Sequence, residues 1–141
     1  VADQPNKIRI FYVDDNNHVA EALRIKLTRD GLFEWGGWIS SADTLVQAAA
    51  EARPSVVVVD LDMPGLSPFD AIQALSVSQP EVRVVIFSGH VHADFIEQAL
   101  NAGVWGYASK NDGEEELVKI LRAVAAGHVS LSPEAHSAFR G

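Results

Sequence analysis

Four short apolar runs in this chain each end on a residue that can do chemistry. IFYV ends on Asp14-Asp15, VVVV on Asp60, VVIF on Ser88, and the WGYAS run on Lys110. In an open parallel sheet, ligands bind in the crevice outside the carboxyl ends of the strands. Separated segments can therefore deliver three carboxylates, a hydroxyl and an ammonium to one pocket. Acids held that close repel one another unless a cation sits among them. These residue types suit one chemistry. A carboxylate can attack a phosphoryl group and carry it as an aspartyl phosphate. Mg²⁺, a hard cation that takes one or two carboxylates with phosphate oxygen and water, offsets the negative charge. A lysine adds a point charge on the phosphoryl group, and a hydroxyl donates a hydrogen bond to one of its oxygens. Asp60, last on the most apolar run, is the nucleophile candidate. Asp14 and Asp15 are the metal pair, Ser88 the hydroxyl and Lys110 the cation, while Gly89 leaves the pocket open to a donor.

An alternation of strands and helices must position these groups. KIRIFYV (7–13) reads as a buried strand. From about Asn16 to Arg29, Val19, Leu23 and Leu27 share one helical face, with Gly31 as the stop. Phe33 to Ile39 is a weaker strand, in which Gly36-Gly37 marks a bulge or an edge position. Ala42 to Ala52 is an Ala-rich helix halted by Pro54. SVVVVD (55–60) has the unbroken apolar run of a parallel strand covered on both faces. MPGLSP is a loop in which Ser67 caps a helix with Pro68 at its first position. That helix runs to about Ser78 with Phe69, Ile72 and Leu75 inward. VRVVIF (82–87) is the next strand. A helix from about Val91 to Asn101 presents Phe95, Ile96, Ala99 and Leu100, then stops at Gly103. VWGYAS (104–109) is the last strand. Asp112 with Glu115 forms a capping-box-like start to a final helix with Leu117, Ile120, Leu121 and Val124 in one stripe up to Gly127. Glu114 and Glu116 favour its positive end. The expectation is an α/β fold: a doubly wound, five-stranded parallel sheet flanked by five helices, with right-handed crossovers. It spans residues 1–127. Residues 128–141 fall outside the alternation and read as a linker or a short helix after Ser132-Pro133.

Composition narrows the setting. The chain has 141 residues, enough for one domain with one core. With 19 acids against 11 bases, its formal charge is -8, so this surface repels phosphate backbones and is not expected to bind nucleic acid by itself. It has no cysteine, which excludes disulfides and thiolate metal sites and fits a cytoplasmic protein. No apolar stretch approaches the roughly 20 residues needed to cross a bilayer, and no signal peptide is visible.

Asp14-Asp15, Asp60 within VVVVDLDMPG, Ser88-Gly89 and Tyr107-Ala-Ser-Lys110 together resemble the receiver domain of two-component response regulators. The resemblance spans about residues 7 to 127. It implies a flavodoxin-like sheet of strand order 2-1-3-4-5. It further implies that Asp60 takes a phosphoryl group from a histidine kinase or phosphotransfer protein. Asp15, Asp60 and the backbone carbonyl of Asp62 would hold Mg²⁺, with Asp14 acting mainly through water. Ser88 and Tyr107 would be the switch pair, Ser88 moving toward the phosphoryl group and Tyr107 rotating inward. Asp62 and His90 sit where the family tunes hydrolysis. Asn111 replaces the usual proline after the lysine, and Pro68-Phe69 replaces the usual Asp-Gly after MPG. Lys110-Asn111-Asp112 and LRAVAAGHVSLSPEA are similar to the NarL/FixJ group, which implies a phosphorylation-dependent homodimer and a helix-turn-helix output domain beyond residue 141. On this view the chain is a switch, with self-phosphorylation and self-dephosphorylation as its only activities.

Alternatives are weaker. Singly, Asn16 capping a turn, Ser88 as a cap and Lys110 as a solvated charge are ordinary readings. Jointly they would have to fall at strand ends by accident. His90 and His92 are at poor ligand spacing, and Trp35, Trp38 and Trp105 read as packing. A stand-alone receiver acting by protein contact is a second option. A third is a haloacid-dehalogenase-type phosphatase, which Asp60-Leu-Asp62 resembles, but that family puts the motif on its first strand.

Overall fold

A computed structural model describes residues 7–62 and 68–140. Its strands are β1 (Ile8–Val13), β2 (Phe33–Ile39), β3 (Val56–Val59), β4 (Arg83–Ser88), β5 (Gly106–Ser109) and β6 (Ser130–Leu131). Its α-helices are α1 (Asn17–Arg29), α2 (Leu45–Ala52), α3 (Pro68–Ser78), α4 (Ala93–Ala102), α5 (Glu114–Ala125) and α6 (Pro133–Arg140). The strands form one sheet in the order β2-β1-β3-β4-β5-β6, and every pairing is parallel. The order of the first five strands matches the expectation.

Alternate residues along each strand feed two cores. Phe11, Val13, Val57, Val59, Val84, Ile86 and Tyr107 pack with α2, α3, α4 and α6 on one face. Ile10, Tyr12, Val56, Val58, Val85, Phe87 and Ala108 pack with α1 and α5 on the other. The Val56–Val59 run is fully buried, because a parallel strand has helices on both sides.

Three expectations are corrected. The described residues form six strands and six α-helices, rather than five of each. The stretch read as a linker or short helix supplies both additions. Ser130 and Leu131 pair with Gly106 and Tyr107, and α6 then seals Ala135 completely. Asp112 does not cap α5: Gly113 precedes that helix without a side-chain cap, and Asp112 Oδ2 instead accepts from the Glu134 N–H at 2.9 Å. The α6 backbone outcompetes α5 for that carboxylate because its own first N–H groups also lack partners. Phe95 does not enter the core. It is 37% exposed and meets the His90 and His92 rings instead.

Other boundaries follow the local signals. Asn16 Oδ1 accepts from His18 N and Val19 N at the start of α1. The Ala42–Ala52 segment begins as a 3-10 turn before α2. Gly36 is the extra residue of a bulge, since Ile10 pairs with Trp35 and Phe11 with Gly37. A Cβ at Gly36 would lie 3.0 Å from the Ile10 carbonyl oxygen and press on the β1 backbone, which favours glycine at this close approach. The expected Ser67 cap and most of the MPGLSP loop lie outside the described residues.

Candidate functional site

The sheet brings the expected residues together at its carboxyl edge. The Asp60 N–H donates to Val13 O at 2.9 Å and the Asp14 N–H to Ile39 O at 3.1 Å. These ladder extensions seat the two acids side by side just beyond β3 and β1. Carboxylate oxygens of Asp14, Asp15 and Asp60 all lie within 4.8 Å of one another. Asp14 and Asp60 are buried, while Asp15 is exposed and opens the cluster to solvent. Lys110 reaches over from β5, its Nζ 3.2 Å from Asp60 Oδ2 and 3.3 Å from Asp62 Oδ2.

Backbone and neighbours hold this arrangement. Tyr12 Oη donates to Asp14 Oδ2 at 2.7 Å, and the Asn16 N–H donates to Asp14 Oδ1 at 3.0 Å. The Trp38 indole N–H donates to the Asp14 carbonyl at 2.6 Å. The Asp62 N–H donates to Asp60 Oδ1 at 2.8 Å. Burial pushes the Asp60 carboxyl up to about 7, with neighbouring Asp14 adding to the rise. The Asp62 N–H and the Lys110 charge oppose it. Burial and the bond to Asp14 keep the Tyr12 phenol far above its usual range, so it stays a donor. For Lys110 the loss of solvent favours neutrality, but Asp60, Asp62 and Asp14 outweigh it and hold the ammonium charged.

The opposite wall comes from β4. Ser88 Oγ donates to Asp62 Oδ1 at 3.0 Å, and the Gly89 N–H donates to Asp62 Oδ2 at 3.2 Å. Ser88 Oγ accepts from His90 N at 2.9 Å, and His90 Nε2 lies 3.2 Å from Asp62 Oδ1. Burial raises the Asp62 carboxyl, but Gly89, Ser88 and Lys110 together bring it below the usual range. Tyr107 is fully enclosed, its hydroxyl donates to the His90 carbonyl, and burial pushes its phenol up to about 12. The ring expected to rotate inward is thus already inside. The Asp62 carboxylate points to Ser88 and Lys110, outside the three-acid cluster.

Sequence reasoning did not assign Tyr12, Trp38 or Glu134 to the site. The first had a usable signal: Tyr12 stands two residues before Asp14 on one strand and so shares its face. Glu134 had none. It accepts from Ser109 Oγ and from Asn111 Nδ2 at 3.1 Å, while Ser132 Oγ accepts from Ser109 N at 2.9 Å. The loop that carries Lys110 is thereby fastened to α6 by contacts that span more than twenty residues. Among the described residues no peptide bond is cis, Lys110–Asn111 included.

Geometry and family agree. The family model for the response regulator receiver domain matches residues 10–122. This chain is a response regulator receiver domain. Transcriptional regulatory protein MctR of Rhizobium johnstonii is 30% identical to it over 135 residues, 96% of this chain and 63% of that protein. Response regulator GacA of Pseudomonas aeruginosa is 31% identical over 127 residues, 90% of this chain and 59% of that protein. The crystal structure of a two-component response regulator of the LuxR family from Aurantimonas sp. SI85-9A1 is 28% identical, with a TM-score of 0.90 and 96% of each chain covered. The receiver spans about three fifths of the curated relatives it matches. As a receiver it is a signalling module. Its Asp60-Leu-Asp62 motif follows the third strand in the chain, unlike the first-strand motif of the phosphatases. Among the described residues, no helix is long and apolar enough to cross a membrane.

Proposed function

We propose that Asp60 accepts a phosphoryl group from a sensor histidine kinase or phosphotransfer protein, in a Mg²⁺-dependent reaction in the cytoplasm. The carrying observation is the meeting of Asp14, Asp15 and Asp60 within 4.8 Å with Lys110 beside Asp60. The donor set fits Mg²⁺, since it is all hard oxygen, and exposed Asp15 leaves an open side for water and a phosphoryl oxygen. Asp15 and Asp60, with the Asp62 carbonyl, would hold the ion, and Asp14 would act through water. When bound, the ion offsets negative charge on the phosphoryl oxygens.

An Asp60 carboxylate oxygen bonds to phosphorus as the bond from phosphorus to the donor's histidine nitrogen (or, with a small donor such as acetyl phosphate, its leaving oxygen) breaks, and the leaving group departs with that electron pair. Lys110 holds a phosphoryl oxygen, and the Ser88 hydroxyl donates to another. Ser88 and Tyr107 then form the switch pair, reshaping the surface of β4, α4 and β5 and strengthening self-association. Self-phosphorylation by small donors and self-dephosphorylation follow from the same site. The output is control of transcription through a DNA-binding domain outside these residues. Similarity to MctR, a transcriptional regulatory protein, supports that reading.

Acetyl phosphate with Mg²⁺ tests it. Intact mass should rise by one phosphoryl group in the parent chain and stay unchanged in Asp60→Asn. Equal labelling of that variant refutes Asp60 as the acceptor.

A further inference from the structure

Asp62 lies two residues beyond the acceptor, and its carboxylate takes contacts from three groups at the carboxyl ends of two strands, β4 and β5. Its Oδ1 accepts from the Ser88 hydroxyl at 3.0 Å. Its Oδ2 accepts from the Gly89 N–H at 3.2 Å and lies 3.3 Å from Lys110 Nζ. Lys110 is at the same time 3.2 Å from Asp60 Oδ2. A phosphoryl group on Asp60 would meet these same donors: the ammonium at the acceptor's side, the hydroxyl at the end of β4 and the N–H that follows it. All three now point at one anion with two oxygens. The Asp62 N–H holds the loop in register through its 2.8 Å bond to Asp60 Oδ1. His90 Nε2, 3.2 Å from Oδ1, closes the outer side.

We infer that the Asp62 carboxylate occupies the seat of the phosphoryl oxygens in the unphosphorylated receiver and must leave it before Asp60 can be loaded. This rests on the reading of Asp60 as the acceptor. Asp62 is a positioning residue that competes with the incoming group. Each group it engages is already satisfied, so loading exchanges one anion for another at Ser88, Gly89 and Lys110. The exchange has a direction. A phosphoryl group brings three acceptor oxygens and more charge than a carboxylate, so it displaces Asp62 once bonded to Asp60. Before that bond forms, the donor must compete with a tethered carboxylate already in place.

The test compares the parent chain with Asp62→Asn, Asp62→Ala, Asp60→Asn and the Asp60→Asn/Asp62→Ala double variant. Each is loaded with acetyl phosphate and Mg²⁺ and followed by intact mass against time. The Gly89 amide resonance is followed in parallel, before and after adding beryllofluoride. Loss of a hydrogen bond to a charged partner predicts that Asp62→Ala loads about tenfold faster than the parent. Asp62→Asn, whose amide oxygen can still accept from Ser88, falls between them. The unloaded Asp62→Ala amide should lose the downfield position expected for the bonded amide of the parent, and beryllofluoride should restore it. Equal loading rates in the parent and Asp62→Ala, or an unmoved Gly89 amide, would overturn the seat assignment and leave Asp60 as acceptor intact. Equal rates in Asp62→Asn and Asp62→Ala would also overturn it, by assigning the effect to charge alone. Labelling that persists in the double variant, or that fails in every chain, would instead remove the acceptor reading on which the inference stands.

Discussion

Mg²⁺ affinity should be steeply dependent on pH near neutrality, because the ion and a proton compete for Asp60. The carboxyl is buried beside Asp14, and its proton is held to about pH 7 when no cation is present. At pH 6 about one Asp60 in eleven is then ionised, and at pH 8 about ten in eleven. Metal binding needs the ionised form and releases the proton. The apparent affinity should therefore be about tenfold weaker at pH 6 than at pH 8, equal to about 1.4 kcal/mol. Trp38 offers an optical readout, since its indole N–H is bonded to the Asp14 carbonyl at the edge of the cluster. A Mg²⁺ titration followed by tryptophan fluorescence at the two pH values gives both midpoints. Asp60→Asn should weaken binding and flatten its pH dependence. Midpoints in the parent chain that coincide at pH 6 and pH 8 would refute the proton competition.

Metal-free stability should move with the same group. Its folded-state value lies above the ordinary 3.8, so the folded chain binds the proton more tightly than the unfolded one. Stability is fully present below about pH 4 and is lost as pH rises toward 7, by at most about 4 kcal/mol; urea unfolding in chelator should show that slope, and Asp60→Asn should remove it. Ser88→Ala should still load Asp60 but transmit poorly, so sedimentation with beryllofluoride should show a weaker gain in self-association than in the parent; an unchanged gain takes Ser88 out of the switch. Glu134→Ala releases Ser109 Oγ and Asn111 Nδ2, and with this exposed residue the cost should be only about 1 kcal/mol. Faster hydrogen exchange in α6 and the Lys110 loop would report it, and unchanged exchange would show that α6 is held by packing alone.

The parts of the fold legible in the chain were those written in local pattern. The Val56–Val59 run could only be an interior parallel strand, and the stripe of Leu117, Ile120, Leu121 and Val124 could only be a packed helix face; all eight are buried. Asp14, Asp60, Ser88 and Lys110 were legible because each ends an apolar run, and strand ends in one parallel sheet share an edge. The parts not legible depend on distant partners. Ser130-Leu131 is too short to carry a strand signal and exists because the β5 edge accepts it. Asp112 has the right type and spacing for a cap on α5, but α6 supplies the N–H it takes. Phe95 fits the helical stripe, but the His90 and His92 rings hold it at the surface. Asp62 could be placed near the acceptor from spacing alone; that its carboxylate turns to Ser88, Gly89 and Lys110 depends on where β4 and β5 lie.

The unphosphorylated pocket has its principal polar groups engaged, and this limits how a switch can work. Ser88 Oγ, the Gly89 N–H and Lys110 Nζ all have anionic partners, so none is a buried donor left without an acceptor. Phosphorylation therefore cannot act by satisfying an orphan group. It acts through the difference between two anions competing for the same donors, and a difference of similar terms is small beside either one. That keeps both states within reach of a modest signal. It also makes the cation decisive, because a phosphoryl group added to Asp60 beside Asp14 and Asp15 without one would be repelled by the charge already gathered there. Within this logic the resting position of Asp62, rather than the presence of the acceptor, sets how readily the receiver is loaded.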